Sequence, residues 1–170
     1  MNIAVLCATK RGIVFLKKLR EILPDATIYV FSFKEESFEP PYLNTLKLVV
    51  EEMGGQLFIS KELETEYLLE FLNKVNLDLM LLVNWRYKIS KQVYSIPQYG
   101  TYVFHDSYLP RYRGFSPTNW AIINGEKYSG VSLFEIDEEI DYGPIIDQIE
   151  IKINNQDYIN DVMSAVTDGY

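Results

Sequence analysis

Residues 2–23 read NIAVLCATKRGIVFLKKLREIL, an apolar run followed at once by a segment of helical periodicity. The run from Asn2 to Cys7 is of the kind that forms a short strand buried on both faces. Ile13, Phe15, Leu16, Leu19, Ile22 and Leu23 then fall on one helical face, and Pro24 ends it. A fully buried strand that feeds an amphipathic helix is the repeating unit of a parallel α/β sheet.

The alternation continues along the chain. Further strands are expected at 27–33, 56–59, 77–83, 99–104, 130–136 and 145–152, with 77–83 (LDLMLLV) almost wholly apolar. Helices are expected from Tyr42 to Met53, stopped by Gly54-Gly55, and over Tyr67, Leu68, Phe71, Leu72 and Val75. Ser116-Pro117 forms an N-cap and N1 pair for a helix through Ile123, closed by Asn124-Gly125. Ile159, Val162, Met163 and Val166 mark a last amphipathic helix, capped by Asn155 or Asp157. The expected fold is α/β: a mainly parallel, open twisted sheet with helices on both faces. One domain spans residues 1–170, and its last helix either ends near Tyr170 or begins a further region absent from this sequence. Ligands of such sheets sit beyond the carboxyl ends of the strands, so residues just after strands carry most weight.

Composition narrows the function classes. Sixteen Lys and Arg against 24 Asp and Glu give a net charge of −8, the wrong sign for a general nucleic-acid or membrane-surface binder. The 13 tyrosines are enough for some rings to line a binding surface. With one cysteine, Cys7, and one histidine, neither an internal disulfide nor a zinc site is expected. No apolar run reaches the length of a membrane span. Met1 leads straight into the first strand without a basic leader, so the cytoplasm is the expected compartment.

Three places could carry chemistry. The turn Ala8-Thr9-Lys10-Arg11-Gly12 has one glycine and matches neither the dinucleotide fingerprint nor the P-loop. Thr9, Lys10 and Arg11 at a helix N-terminus can still hold a phosphate; the same residues also read as a solvated basic turn. His105 directly follows an apolar strand, and histidine is the side chain suited to proton transfer near neutrality. Asp137, Glu138, Glu139 and Asp141 form an acidic cluster between two strands. Asp141 opens an Asp-Tyr-Gly-Pro turn that could aim its carboxylate into a cleft, although spacing alone does not select it over its neighbours.

From His105 the chain reads HDSYLPRYRGFSPTNWAIINGE. This run resembles the H-x-S-L-L-P segment, and the R-G and W-A-I residues after it, of the formyltransferase family. Gly130-Val-Ser-Leu and Asp141-Tyr-Gly-Pro-Ile-Ile-Asp-Gln148 resemble the family's G-V-T and D-x-G-x-I-x-x-Q segments, and Asp141 stands 36 residues after His105, as expected of the family's His and Asp. The detailed match covers about residues 77–150. The resemblance implies N-formyl transfer from N10-formyltetrahydrofolate, a co-substrate, to a primary amine. It makes His105 the group that accepts the amine proton and steadies the developing oxyanion, with Asp141 orienting the imidazole. It assigns the loop of Asn84, Trp85, Arg86, Tyr87 and Ile89 to the pterin, largely through main-chain groups, and adds Asp137 and Ile140 to the folate site. Ser107, Leu109, Pro110, Arg113 and Gly114 are assigned to the substrate, with Thr9, Lys10 and Arg11. The segments look most like those of sugar-nucleotide N-formyltransferases, so the expected partners are a folate donor and a nucleotide-linked amino sugar. No nucleic acid, membrane or metal is expected, and a homodimer is left open. A methionyl-tRNA formyltransferase is the alternative within the family.

One position departs from the family. Val103 stands where relatives have an Asn two residues before the His, on the same strand face as His105. Losing one oxyanion donor costs about 3–4 kcal/mol of transition-state stabilisation. Either another group, with Asn84 the nearest in the logic of the fold, supplies that donor, or the chain is an impaired relative that binds folate or sugar nucleotide without turnover.

Overall fold

Ile3, Ala4, Val5, Leu6 and Cys7 have no exposed surface, because strand β1 (Asn2–Cys7) lies between two parallel neighbours, with Val5 opposite both Val30 and Leu81. An apolar run without alternation is stable there, since each successive side chain meets a covered face. The computed structural model describes residues 1–170, which divide into two units, Met1–Thr101 and Tyr102–Tyr170.

In the first unit β1 is followed by α1 (Thr9–Ile22), β2 (Thr27–Ser32), α2 (Leu43–Glu52), β3 (Gln56–Ile59), α3 (Glu66–Lys74), β4 (Leu79–Val83) and α4 (Lys91–Tyr94). The four strands run parallel in the order β3-β2-β1-β4. Helix α1 begins at Thr9, so Lys10 and Arg11 belong to its first turn and not to a preceding loop. Gly12 lets that helix approach β1 closely: a Cβ there would lie 2.7 Å from the Cβ of Cys7. Phe31 stacks on Phe58 with centroids 4.8 Å apart, and Phe71 meets Phe58 and Tyr29, tying α3 to β2 and β3. The four-residue α4 was not anticipated, because so short an element carries no readable period.

The second unit holds β5 (Thr101–His105) from Tyr102 onward, α5 (Pro117–Ile123), β6 (Tyr128–Glu135), β7 (Ile145–Lys152) and α6 (Ile159–Asp168). Strands β5, β6 and β7 pair antiparallel. Val162 and Val166 of α6 pack on Val131 and Ile151, with Phe104 and Tyr170 at the margin. The α/β class and the mostly parallel sheet are as the sequence implies; the antiparallel strands make up the rest. Ser116 and Pro117 take the N-cap and first helical places of α5 as expected, but the cap chemistry differs at two helices. Ser116 adopts a left-handed conformation, φ 54°, and its hydroxyl makes no cap hydrogen bond. At α6 the cap is Tyr158, whose N–H donates to Asp161 Oδ2 at 2.8 Å, while Asp157 accepts instead from Asn154 N–H.

Candidate active site

His105 ends β5 and is 9% exposed. Its Nε2 lies 2.9 Å from the carbonyl oxygen of Tyr112. A carbonyl can only accept, so Nε2 carries the hydrogen and Nδ1 is left as the basic nitrogen of the neutral ring. Nδ1 faces Asp141 Oδ2 at 3.6 Å. A proton taken up at Nδ1 would therefore form beside a carboxylate, while the opposite nitrogen keeps its hydrogen bond. Both side chains are largely enclosed, 10% and 12% exposed, which weakens solvent screening between them.

The turn that carries Asp141 is fixed from several directions. Asp141 itself is left-handed, φ 58°, a conformation an Asp tolerates better than most residues. Gly114 N–H donates to Asp141 Oδ2 at 2.7 Å, and Arg113 Nε donates to the Asp141 carbonyl at 2.7 Å. The Arg113 guanidinium also lies 3.4 Å over the ring of Tyr142. Gly143 is pressed on the end of β6, where a Cβ would fall 1.7 Å from the carbonyl oxygen of Glu135. The geometry thus separates Asp141 from Asp137, Glu138 and Glu139, which the sequence spacing could not do: Asp137 is turned to the N–H of Glu138 at 2.6 Å.

Of the other expected residues in this unit, Ser107 and Leu109 are each 2% exposed and shape the loop from within. Pro110 is exposed on that loop, and Ile140 is 65% exposed beside the acidic turn. Arg113 and Gly114, expected at the substrate, also anchor Asp141. Tyr112, Ser132 and Gln148 were not picked out as site residues by sequence reasoning. The signal for the last two was present, since they stand in the G-V-S and D-x-G-x-I-x-x-Q segments.

The remaining expected residues lie in the first unit. Thr9 is left-handed, φ 62°, and its hydroxyl accepts from Arg11 N–H at 3.4 Å. Asn84 leaves β4 at φ 55°. The loop after it is organised by rings: Phe33 contacts Trp85 and Tyr87 at centroid distances of 5.3 and 4.8 Å. Arg86 lies 4.7 Å over Phe33 and pairs with Glu39 at 2.6 Å, and Ile89 is buried. The Glu36 N–H first, then Arg86, hold the Glu39 carboxyl below its ordinary range. The indole N–H of Trp85 is buried without a hydrogen-bond partner. A cavity of about 430 Å³ opens between Phe33, Ile59, Ser60, Lys61 and Tyr87; it follows β2 and β3, where the strand-end rule could have found it.

The sequence pattern of the formyl transferase family matches residues 1–169. Methionyl-tRNA formyltransferase of Thermotoga neapolitana is 38% identical over 109 residues, 64% of this chain and 35% of that protein. The bifunctional polymyxin resistance protein ArnA of Wigglesworthia glossinidia brevipalpis is 38% identical over 101 residues, 59% of this chain and 15% of that protein. The chain therefore matches about a third or less of the length of these relatives. Among solved structures, phosphoribosylglycinamide formyltransferase from Bacillus halodurans superposes with a TM-score of 0.81 at 16% identity, covering 99% of this chain and 88% of that one, a likeness of fold. The chain belongs to the formyl transferase family.

Proposed function

We propose that this member of the family transfers a formyl group from N10-formyltetrahydrofolate to the primary amine of a nucleotide-linked amino sugar. The donor supplies the activated one-carbon unit; the new bond joins the amine nitrogen to the formyl carbon, and the bond from that carbon to N10 breaks. The observation that carries the reading is the His105–Asp141 pair, 3.6 Å apart with the far ring nitrogen held by Tyr112. In this reading Nδ1 of His105 accepts the proton that the amine must lose, and Asp141 stabilises the imidazolium until that proton passes to N10. The loop from Asn84 to Ile89 receives the pterin. Thr9, Lys10 and Arg11 receive the nucleotide phosphates at the start of α1.

The acidic background of −8 favours a small acceptor over tRNA. A methionyl-tRNA acceptor is the second reading, favoured by the identity with the Thermotoga enzyme. The test supplies 10-formyltetrahydrofolate with a nucleoside-diphosphate amino sugar, methionyl-tRNA or glycinamide ribonucleotide, and follows tetrahydrofolate release and the mass of the acceptor. Formylation of the amino sugar alone is expected. Formylation of methionyl-tRNA alone overturns the acceptor, and ligand protection from unfolding without any turnover supports the binding-only relative that Val103 raises.

A further inference from the structure

His105, Ser132 and Gln148 stand in one cross-strand row: His105 is opposite Ser132, and Ser132 is opposite Gln148. Directly paired residues share a sheet face, so the three side chains project on the same side of β5, β6 and β7. The loop from Ser107 to Tyr112 crosses that side. Gly130, two residues before Ser132, makes room for it: a Cβ there would lie 3.1 Å from the Cβ of Tyr108.

The Ser132 hydroxyl and the Gln148 NH₂ have forced roles between the row and the loop. Ser132 is 0% exposed. Its hydroxyl donates to Ser107 O at 2.6 Å, and it accepts from Leu109 N–H at 3.0 Å and from Gln148 Nε2 at 2.9 Å. A hydroxyl has one hydrogen and two lone pairs, so Ser132 is saturated. Gln148 Nε2 also donates to Leu109 O at 2.9 Å. A backbone carbonyl accepts only, so the amide must turn its NH₂ toward the loop, and its two hydrogens are both taken. The loop is then closed on itself, Ser107 Oγ donating to Arg111 O at 2.6 Å and Arg111 N–H to Tyr108 O at 3.2 Å. The residue after this closed turn is Tyr112, whose carbonyl meets His105 Nε2.

From this chain of contacts we infer that Gln148, acting with Ser132, is a positioning residue for the proposed transfer. It fixes the 107–112 loop so that the Tyr112 carbonyl keeps the His105 hydrogen on Nε2 and leaves Nδ1 basic beside Asp141. Neither residue touches the reacting atoms; both act through the loop. The inference rests on the proposed function for its kinetic consequence, while the tautomer of His105 can be read without substrate.

The test uses the full chain labelled with ¹⁵N. Because His105 is the only histidine, a long-range ¹⁵N–¹H spectrum shows one imidazole pattern and needs no assignment. At pH 8 the unsubstituted chain should show the hydrogen on Nε2. Gln148→Glu keeps the shape, sits at a half-buried position and cannot donate when ionised, so the pattern should move toward a mixture of tautomers. Ser132→Ala removes the shared hydroxyl and should do the same. With folate and acceptor, kcat should fall about tenfold to hundredfold, the scale of a small misplacement of a catalytic group, while KM for both substrates changes far less. A folded Gln148→Glu chain with the original imidazole pattern overturns the inference, as does a fall in kcat matched by loss of folded protein alone. If the unsubstituted chain transfers no formyl group yet the pattern responds as stated, the reaction is wrong and the positioning role stands.

Discussion

At the scale of single residues, the proposed chemistry depends on two side chains and one substitution. His105→Ala removes the only imidazole and should abolish formyl transfer with the fold intact by circular dichroism. Asp141→Asn keeps the 2.7 Å contact from Gly114 N–H only if the amide presents its oxygen, and it takes away the charge beside Nδ1. Turnover should drop strongly, while Asp137→Asn and Glu139→Gln stay near normal; the reverse pattern would mean that another carboxylate serves. Val103 lies opposite Phe134, two residues from His105 on its strand, so Val103→Asn introduces an amide on the His105 side. A rise of about a hundredfold would mean the unsubstituted site lacks one oxyanion donor. No change would point to a donor elsewhere, and Asn84→Ala should then lose that factor. Stability must be measured beside rate, because a buried amide without partners costs about 1–3 kcal/mol. A destabilised Val103→Asn with unchanged rate would remove position 103 from the site.

At the scale of elements, strands and helices were legible where apolar runs or helical stripes were long enough to show a period. β1 and α1 are examples, and α1 was misjudged only in its start, since Lys10 and Arg11 look like turn residues yet are helical. Caps were less legible. Ser116 fits an N-cap by identity, but its left-handed backbone keeps the hydroxyl from bonding to the helix. The acidic turn was readable as a turn and not as a site, because which carboxylate faces His105 is decided by tertiary contacts: Gly114 and Arg113 on Asp141, and Gly143 against Glu135. That contact can be tested. A Cβ at Gly143 would lie 1.7 Å from a backbone oxygen, so the turn must move. Gly143→Ala should cost about 3 kcal/mol, at the upper end of overpacking penalties, and lower turnover further by displacing Asp141. Gly54→Ala is the comparison: φ there is 66° with nothing within 4 Å, so only backbone strain of about 1–2 kcal/mol applies. Equal urea midpoints for the two variants, with normal turnover in Gly143→Ala, would show that the turn is not held where the structure has it.

At the scale of the whole molecule, the sequence carried the α/β class because burial on both faces leaves unbroken apolar strands, while the network of Ser132, Gln148 and the 107–112 loop stayed hidden because its hydrogen bonds join residues distant in sequence. The same burial makes stability depend on pH through Cys7. The thiol is 0% exposed in β1, and burial pushes it up to about 12. In the unfolded chain it would ionise near ~8.5. Above that pH the unfolded state has released a proton that the native state still holds, so stability falls as pH rises, by up to about 1.4 kcal/mol per pH unit, until the native thiol ionises too. Below about pH 8 the same group leaves stability unchanged. Tyr42 adds a second loss at higher pH: its buried hydroxyl donates to Phe33 O at 2.8 Å and is also pushed up to about 12, against ~10 when unfolded. Urea melts at pH 8, 9, 10 and 11 can separate the two. Cys7→Ala leaves a small gap whose cost is the same at every pH, and it should flatten the decline between about pH 9 and 10. Tyr42→Phe loses the bond to Phe33 O at every pH, and it should change the slope only above about pH 10. If Cys7→Ala loses stability from pH 9 to 10 as steeply as the unsubstituted chain, the thiol is not held neutral in β1, and its reaction with a thiol reagent in native buffer should then match that of the unfolded chain.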